Sequence, residues 1–255
     1  MPYEKDSNKI ENIFAKLGEV KSILVVQPHY DDNDIFAGGF LSLLADKGVN
    51  IIYLTVTDDK VGVIDQTLTD LEMEKKLRKE QKNAAKLMGN RIKHEWLNFP
   101  DAGDYDYFEV RKSIIEKIRK YKPQVLMTCD PWLRNEAHHD HLITGKAVAE
   151  AAILYPLRRL KTKKSIDHSY KDYELKWVVF YATDKPNSYV DVSAVFEQKK
   201  EIIKKYQMQF TDKSQKYLLS FLEAQANKLG NKLGMEKAEV FKVLSPIQLH
   251  GWTDN

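Results

Sequence analysis

The sequence is poor in the features that mark secreted, membrane-spanning and nucleic-acid-binding proteins. It has one cysteine, which excludes an internal disulfide framework. No segment approaches the ~18 consecutive apolar residues of a membrane span, and the opening MPYEKDSNKIENIFAK has no apolar core of signal-peptide length. Forty basic against thirty-seven acidic residues leave a formal charge of +3, too small for a concentrated basic surface. We therefore expect a soluble, cytoplasmic protein with no membrane span and no nucleic acid partner.

The chain also lacks internal repeats, low-complexity linkers and a dinucleotide-binding fingerprint. Without a repeat or a linker, the 255 residues predict a single domain over residues 1–255, with C-terminal helices packed on it. The double glycine Gly38-Gly39 is not part of a G-x-G-x-x-G motif. It therefore predicts close packing of a helix against the sheet.

Short apolar runs alternate with amphipathic segments along the chain. Strands are predicted at SILVVQ, NIIYLTV, IKHEWLNF and QVLMTC, with a helical pattern after each, and a further strand at WVVFYAT. Because parallel strands need crossovers, this alternation predicts a Rossmann-like three-layer α/β/α fold with a mostly parallel sheet. Chemistry in such folds lies outside the carboxyl ends of the strands, here the loops after residues 27, 57, 98 and 129.

Two clusters of histidine and aspartate follow predicted strands, HYDD at 29–32 and HHDH at 138–141. A histidine and a carboxylate three positions apart, joined by a distant histidine, supply the mixed nitrogen and oxygen ligands of a catalytic zinc site. The residues alone predict His29, Asp32 and one histidine of the second cluster as ligands. Zn²⁺ is the expected ion, although such a site also accepts other divalent metals.

The other members of the two clusters suit hydrolysis of an amide or ester. Asp31 adjoins the predicted ligands and can take a proton from water while a metal polarises a carbonyl group. His138 and His141 are one helical turn apart, so one can bind the metal while the other faces the substrate. Asp140 can fix the tautomer of a neighbouring histidine.

Structural interpretations stay open beside the catalytic one. Acids ahead of a helix are favoured as N-caps and as partners of the helix dipole, which would explain Asp31, Asp32 or Asp34 individually. A hydrogen-bonded polar cluster without a metal is a second alternative. Cys129, at the end of the fourth strand, is a conceivable nucleophile, but a small buried thiol is the commoner outcome.

At these two clusters the sequence resembles the PIG-L/LmbE-like zinc-dependent N-deacetylases. The family motifs are close to A/P-H-P-D-D-E and H-P-D-H, and this chain has PHYDDND, with AGG behind it, and HHDH. RKEQKNAAKLMG, KPNSYVDVS, EQKKEIIKKYQMQF and MEKAEVFKVL also resemble family segments, so the likeness covers roughly residues 20 to 250. DPWLRNEAHHDHLITG and YATDKPNSYVDVS are most similar to the diacetylchitobiose deacetylase type.

The resemblance assigns roles residue by residue. It implies these zinc ligands: His29, Asp32 and His141. Asp31 would be the general base. His138 would assist the tetrahedral intermediate or protonate the leaving amine, with Asp140 as its partner.

The resemblance also implies substrate contacts. Arg78 would position the substrate, although the family spacing also allows position 77, which is Leu77 here. Asp101 would contact sugar hydroxyls, and Tyr30 lies where a substrate would be held. His250 resembles a C-terminal histidine that approaches the site of an adjacent subunit, which implies a homo-oligomer.

Four positions depart from the family pattern. Tyr30 and His139 replace the two motif prolines, Asn33 replaces the acid after the aspartate pair, and Tyr206 stands where a histidine is usual. None of these changes removes a predicted ligand. The expected function is therefore hydrolysis of the N-acetyl group of an N-acetylglucosamine-type sugar or glycoside. The alternatives are another N-acyl substrate, such as an aminoglycoside or thiol-conjugate precursor, or a non-catalytic sugar-binding α/β module.

Overall fold

A computed structural model describes residues 10–89 and 92–251, and it contains one eight-stranded sheet. The strands are β1 Glu11–Asn12, β2 Ser22–Gln27, β3 Asn50–Thr57, β4 Ile92–Phe99, β5 Val125–Cys129, β6 Trp177–Tyr181, β7 Ser188–Asp191 and β8 Ala238–Leu244. Their order across the sheet is β1-β7-β8-β6-β5-β2-β3-β4. Only β8 runs antiparallel to its neighbours, β6 and β7, among the pairings described. The predicted mostly parallel sheet is confirmed.

Helices connect the strands and cover both faces of the sheet. They are α1 Ile13–Leu17, α2 Asp32–Asp46, α3 Asp70–Lys86, α4 Tyr107–Tyr121, α5 His139–Leu154, α6 Lys164–Ser169, α7 Phe196–Ile203 and α8 Asp212–Leu233, with short 3₁₀ turns at Ser193–Val195 and Pro246–Leu249. Ile23 and Val25 of β2 point into one apolar core, and Leu24 and Val26 point into the other, as the alternation of a strand requires. The three-layer α/β/α arrangement is confirmed.

The boundaries of two helices differ from the sequence pattern in a way that matters for function. The helical patterns that follow SILVVQ and QVLMTC have their first apolar residues at Ile35 and Leu142, but helices α2 and α5 begin at Asp32 and His139. Asp32 and His141 therefore lie in the first turns of α2 and α5, whereas His29 lies in the loop before α2. The short elements β1 and α1 ahead of the first predicted strand had no clear sequence signal.

The glycine pair of α2 is explained by packing, as predicted. A Cβ atom on Gly39 would lie 2.6 Å from Val192 Cγ1, and one on Gly38 would lie 3.2 Å from Lys199 Cγ. The close approach lets the buried Glu239 carboxylate accept hydrogen bonds from the Gly39 N–H at 3.0 Å and from Lys199 Nζ at 2.6 Å. A buried charge pair of this kind needs such additional donors. The two glycines therefore join α2 to α7 and β8.

Two sequence expectations reach beyond the described residues. The predicted domain 1–255 includes residues 1–9, 90–91 and 252–255, which lie outside them, as do the first nine residues of the segment searched for a signal peptide. The single domain therefore stays a prediction. Among the helices that the structure describes, none combines the length and the apolar character needed to span a membrane.

Candidate metal centre and active site

The order of the strands brings the two polar clusters together. β2 pairs in parallel with β5 on one side and with β3 on the other, so the chain reverses its direction across the sheet at β2. Ligands of doubly wound sheets bind in the crevice at such a switch point. HYDD follows β2 and HHDH lies in the connection from β5 to α5, so they meet although more than 100 residues separate them.

His29, Asp32 and His141 form a group that can hold a metal ion, with one ligand atom from each lying within 4.8 Å of the others. Asp32 lies between the two rings: its Oδ2 is 3.2 Å from His29 Nδ1 and its Oδ1 is 3.4 Å from His141 Nε2. Burial alone would raise the pKa of Asp32, but the charge of His141 and a hydrogen bond from His29 lower it. A carboxylate that stays ionised between two imidazoles suits a divalent cation.

The opposite face of His29 meets two further carboxylates. Its Nε2 lies 3.3 Å from both Asp101 Oδ1 and Asp140 Oδ2. Asp140 is held by the Ala102 N–H at 2.9 Å and the Tyr105 hydroxyl at 2.6 Å. Burial lowers the pKa of His29, but hydrogen bonds to these carboxylates and to Asp32 outweigh it and raise that pKa. A proton on Nε2 leaves Nδ1 free as a metal ligand, a common arrangement around metal-binding histidines.

The expected sugar contact of Asp101 is not supported by its position. Oδ1 faces His29, Oδ2 accepts the Val61 N–H at 2.9 Å, and 5% of the side chain is exposed. A carboxylate with both oxygens engaged in the interior has little surface for a sugar hydroxyl. The structure instead makes Asp101 a second partner of His29, together with Asp140.

Asp31 occupies the N-cap position of α2, but its side chain makes no capping hydrogen bond. The structural explanation by helix capping therefore fails for this residue. Asp31 is 6% exposed, and burial, followed by the charge of Asp32, raises its pKa to about 7. A carboxyl group with that pKa, beside the metal-binding group, is able to exchange a proton near neutral pH.

His138 and His141 project from the start of α5 with ring centroids 5.2 Å apart. His141 is largely buried, and Glu136 Oε2 lies 3.4 Å from its Nδ1, which orients Nε2 toward Asp32. The His138 side chain is 45% exposed, as a group that meets a substrate must be. Burial, then the charges of His29 and His141, lower the pKa of His138.

The predicted pairing of Asp140 with His138 is not found. His138 Nδ1 lies 4.0 Å from Asp140 Oδ2, beyond hydrogen-bonding distance, whereas His29 is at 3.3 Å. Sequence reasoning also missed Glu136 and Tyr105, which hold His141 and Asp140. Only the nearness of Glu136 to the second cluster could have pointed to it.

Arg78, rather than position 77, faces outward on α3. Leu77 is buried in the core. Arg78 forms an ion pair with Glu74 at 2.7 Å, donates to Asn98 Oδ1 at 2.8 Å and lies over the Trp96 ring at 4.6 Å. These contacts hold the guanidinium on the wall formed by α3 and β4.

Tyr30 does not contact solvent. It is 0% exposed and its hydroxyl has no hydrogen-bond partner in the described part of the chain. Burial raises its pKa to about 12. The Tyr30 ring packs in the apolar core, and a contact between Tyr30 and the substrate stays a prediction.

His250 lies near the amino ends of the parallel strands, whereas the two clusters lie at their carboxyl ends. Leu244, the last residue of β8, pairs with Val178 near the start of β6, and His250 follows shortly after, behind the turn Pro246–Leu249. It lines a cavity at the end of α5 with Tyr155 and Leu175. His250 therefore does not reach the site of its own chain, and its contribution to an adjacent subunit stays a prediction.

Cys129 is a buried thiol, not an exposed nucleophile. Its Sγ donates to the His141 carbonyl oxygen at 3.2 Å, and burial raises its pKa. A thiol that keeps its proton is a poor nucleophile. Its contact supports the backbone of a predicted ligand.

Two sequence matches decide the family. The family described as PIG-L, GlcNAc-PI de-N-acetylase, matches residues 24–152. A diacetylchitobiose deacetylase from Thermococcus kodakarensis is 32% identical over 232 residues, which cover 91% of this chain and 86% of that protein. This chain belongs to the PIG-L family. The PIG-L match contains both polar clusters, and membership makes the chain an N-deacetylase of the hydrolase class.

Solved structures agree on the fold of this PIG-L chain. An N,N'-diacetylchitobiose deacetylase from Pyrococcus horikoshii superposes with a TM-score of 0.86 at 32% identity, covering 95% of this chain and 90% of that one. A 4-carboxy-2-hydroxymuconate hydratase, GalB, from Pseudomonas putida reaches a TM-score of 0.71 at 17% identity, covering 92% and 99%. The second likeness shows the fold alone, and it illustrates that this fold does not by itself determine a reaction.

Proposed function

We propose that this PIG-L protein is a zinc-dependent hydrolase that removes the N-acetyl group from an N-acetylglucosamine-type sugar or glycoside. The observation that carries the proposal is the grouping of His29, Asp32 and His141 beside a buried acid, Asp31, and an exposed histidine, His138. The T. kodakarensis and P. horikoshii deacetylases support a substrate of the diacetylchitobiose type.

The donor set fits zinc. Two imidazole nitrogens and one carboxylate oxygen are the ligands of many catalytic zinc sites. One such atom from each of His29, Asp32 and His141 lies within 4.8 Å of the others. When bound, zinc supplies Lewis acidity toward the acetamide carbonyl oxygen and acidifies a water molecule. The same donors also accept other divalent ions.

Asp31 is proposed to accept the proton of the attacking water. The water oxygen adds to the acetyl carbon, and the tetrahedral intermediate then collapses with cleavage of the C–N bond. His138, on the exposed side, is proposed to stabilise that intermediate and to pass the proton that Asp31 took from the water on to the departing amine nitrogen. The products are acetate and the free amino sugar. Asp101 and Asp140 keep the proton of His29 on Nε2 throughout.

The direct test is acetate release by the metal-loaded protein. The panel comprises N-acetylglucosamine, diacetylchitobiose, other N-acetylated glycosides, an N-acetylated aminoglycoside and an acetylated thiol conjugate. We expect the highest kcat/KM for an N-acetylglucosamine-type compound. Turnover of only the last two compounds would move the proposal to another N-acyl substrate. No acetate from any compound, with metal bound, would overturn it.

Replacing His138 by glutamine should lower kcat for a sugar acetamide by about 100-fold, because general acid catalysis contributes on that scale. An aryl acetamide, whose amine leaves more readily, should lose much less. Steady-state rates for both substrates check the prediction. His139→Gln serves as the control, because His139 is the neighbouring histidine and has no assigned role. Equal losses of kcat on both substrates would show that His138 does not protonate the leaving amine.

Three finer points are proposals that rest on the sequence. A cytoplasmic location is proposed from the single, buried cysteine. Arg78 is proposed to position the substrate from the wall of α3, and a homo-oligomer is proposed from the likeness around His250. Sedimentation of the full-length chain, followed by acetate release from mixed wild-type and variant subunits, tests the last of these.

A further inference from the structure

We propose that Gln81 is a positioning residue, which together with Gln27 fixes the loop that carries His29, Asp31 and Asp32. It does so by holding the main-chain carbonyl group of Tyr30. This inference deepens the proposed function and rests on it for the roles of the loop. Neither glutamine belongs to the polar clusters that the sequence singles out.

The carbonyl oxygen of Tyr30 accepts two side-chain hydrogen bonds. Gln81 Nε2 donates to it at 3.0 Å and Gln27 Nε2 at 3.2 Å. Both glutamines are fully buried. The N–H of Tyr30 donates to Asp59 Oδ2 at 2.9 Å, so both polar main-chain groups of this residue are held by side chains. Residue 30 stands between a proposed ligand and the proposed base, and a shift of its peptide groups would move both.

The orientation of each amide is determined by an obligate donor. Trp96 Nε1 can only donate, and it meets Gln81 Oε1 at 2.9 Å. The N–H of Asn33 likewise meets Gln27 Oε1 at 2.9 Å. Each glutamine must therefore turn its Nε2 toward Tyr30. Thr55 Oγ1 also accepts from both amides, at 3.0 Å in each case.

The position of Gln81 in α3 is otherwise an apolar one. The other buried residues of this helix are Leu77, Ala84 and Ala85. Burying an amide costs free energy unless it is hydrogen-bonded, so an apolar side chain would be the simpler choice for packing alone. All the partners of this amide belong to the site loop or to the adjoining strands β3 and β4. The guanidinium of Arg78 stacks on the Trp96 ring. Trp96 therefore links the loop to the residue that is proposed to position the substrate.

The experiment compares Gln81→Met with Gln198→Met. Methionine keeps the length of the side chain and removes every hydrogen bond of the amide. Gln198 Nε2 also donates to a main-chain carbonyl, that of Leu87 at the C-terminal end of α3, at 2.6 Å. In Gln81→Met we expect zinc affinity and kcat each to fall by about tenfold or more, as for other partners that orient metal ligands, with KM changed less than threefold. In Gln198→Met we expect neither to change.

Zinc affinity is measured by competition with a chelator in the absence of substrate, so this arm remains decisive even if no acetamido sugar is hydrolysed. Should Gln81→Met fail to fold, Trp96→Phe takes its place, because it removes the donor that orients the amide and keeps an aromatic ring. Wild-type zinc affinity and kcat in the variant that folds, accompanied by no more than a lower Tm, would overturn the proposal. A parallel loss in Gln198→Met would also overturn it, by showing that general destabilisation explains the effect.

Discussion

Replacing Asp31 by asparagine is expected to lower kcat for N-acetyl hydrolysis by about three orders of magnitude, within the range that general base catalysis contributes. Zinc affinity should stay within a few-fold of wild type. Asparagine keeps the size of the side chain but cannot accept a proton. Because Asp31 makes no capping hydrogen bond, the substitution removes no contact that α2 needs. Steady-state kinetics and chelator competition on the same preparation check both parts.

The matched control is Asp46→Asn at the exposed end of the same helix. It makes the same chemical change at an exposed position and should leave kcat unchanged. Stability should not fall in Asp31→Asn, because burial and the charge of Asp32 already hold the pKa of Asp31 near 7. A carboxyl group whose folded pKa is raised destabilises the protein above its ordinary pKa, and removing it relieves that cost at neutral and higher pH. Turnover near the wild-type rate would show that another group accepts the proton.

Much of the fold follows from local pattern. The alternation of β-branched runs such as SILVVQ with amphipathic segments is enough to predict parallel strands and two helical layers. The placement of chemistry at the carboxyl ends of strands then predicts that residues 29–32 and 138–141 meet, which they do at the junction of β2 and β5. Antiparallel β8 was beyond this reasoning, because its pairing with β6 and β7 depends on contacts distant in the chain.

The finer organisation of the site could not be predicted, because it depends on which side chains from distant parts of the sequence contact the same group. Asp101 and Asp140 both turn to the same nitrogen of His29, although 72 and 111 positions separate them from it. The family resemblance implied His138 as the partner of Asp140. His138 Nδ1 lies 4.0 Å from Asp140 Oδ2, whereas Tyr105 donates a hydrogen bond to Asp140 Oδ1 at 2.6 Å.

The tyrosine that replaces a motif proline takes part in main-chain contacts that the sequence does not reveal. At position 30 the side chain points into the core, while the main chain points to Gln27, Gln81 and Asp59. A proline has no N–H and could not make the bond to Asp59. The departure from the family pattern therefore adds a main-chain hydrogen bond that helps to hold the loop. Single-sequence reasoning assigns roles to side chains and has no signal for such main-chain partners.

Asp32→Asn should remove the metal site itself. The Asp32 carboxylate lies between the rings of His29 and His141, and it also accepts a hydrogen bond from the main-chain N–H of His29 at 2.9 Å. An amide can reproduce that hydrogen bond by one oxygen, but it lacks the negative charge and the second acceptor. We therefore expect zinc affinity to fall by more than the 10- to 100-fold range typical of groups that only orient ligands. Activity at stoichiometric zinc should be lost.

Thermal unfolding offers a readout that needs no substrate. Zinc at a thousandfold excess over its Kd should stabilise the wild type by about 4 kcal/mol, which raises the Tm of a chain of this size by roughly 10 °C. The rise in Tm should persist in Asp31→Asn and vanish in Asp32→Asn. The two variants therefore distinguish the proposed base from the proposed metal ligand. If zinc still stabilises Asp32→Asn, the second group that can hold a metal, His29 with Asp101, His138 and Asp140, becomes the candidate. In that case Asp140→Asn would lose the rise instead, and the assignment of Asp32 as ligand would be wrong.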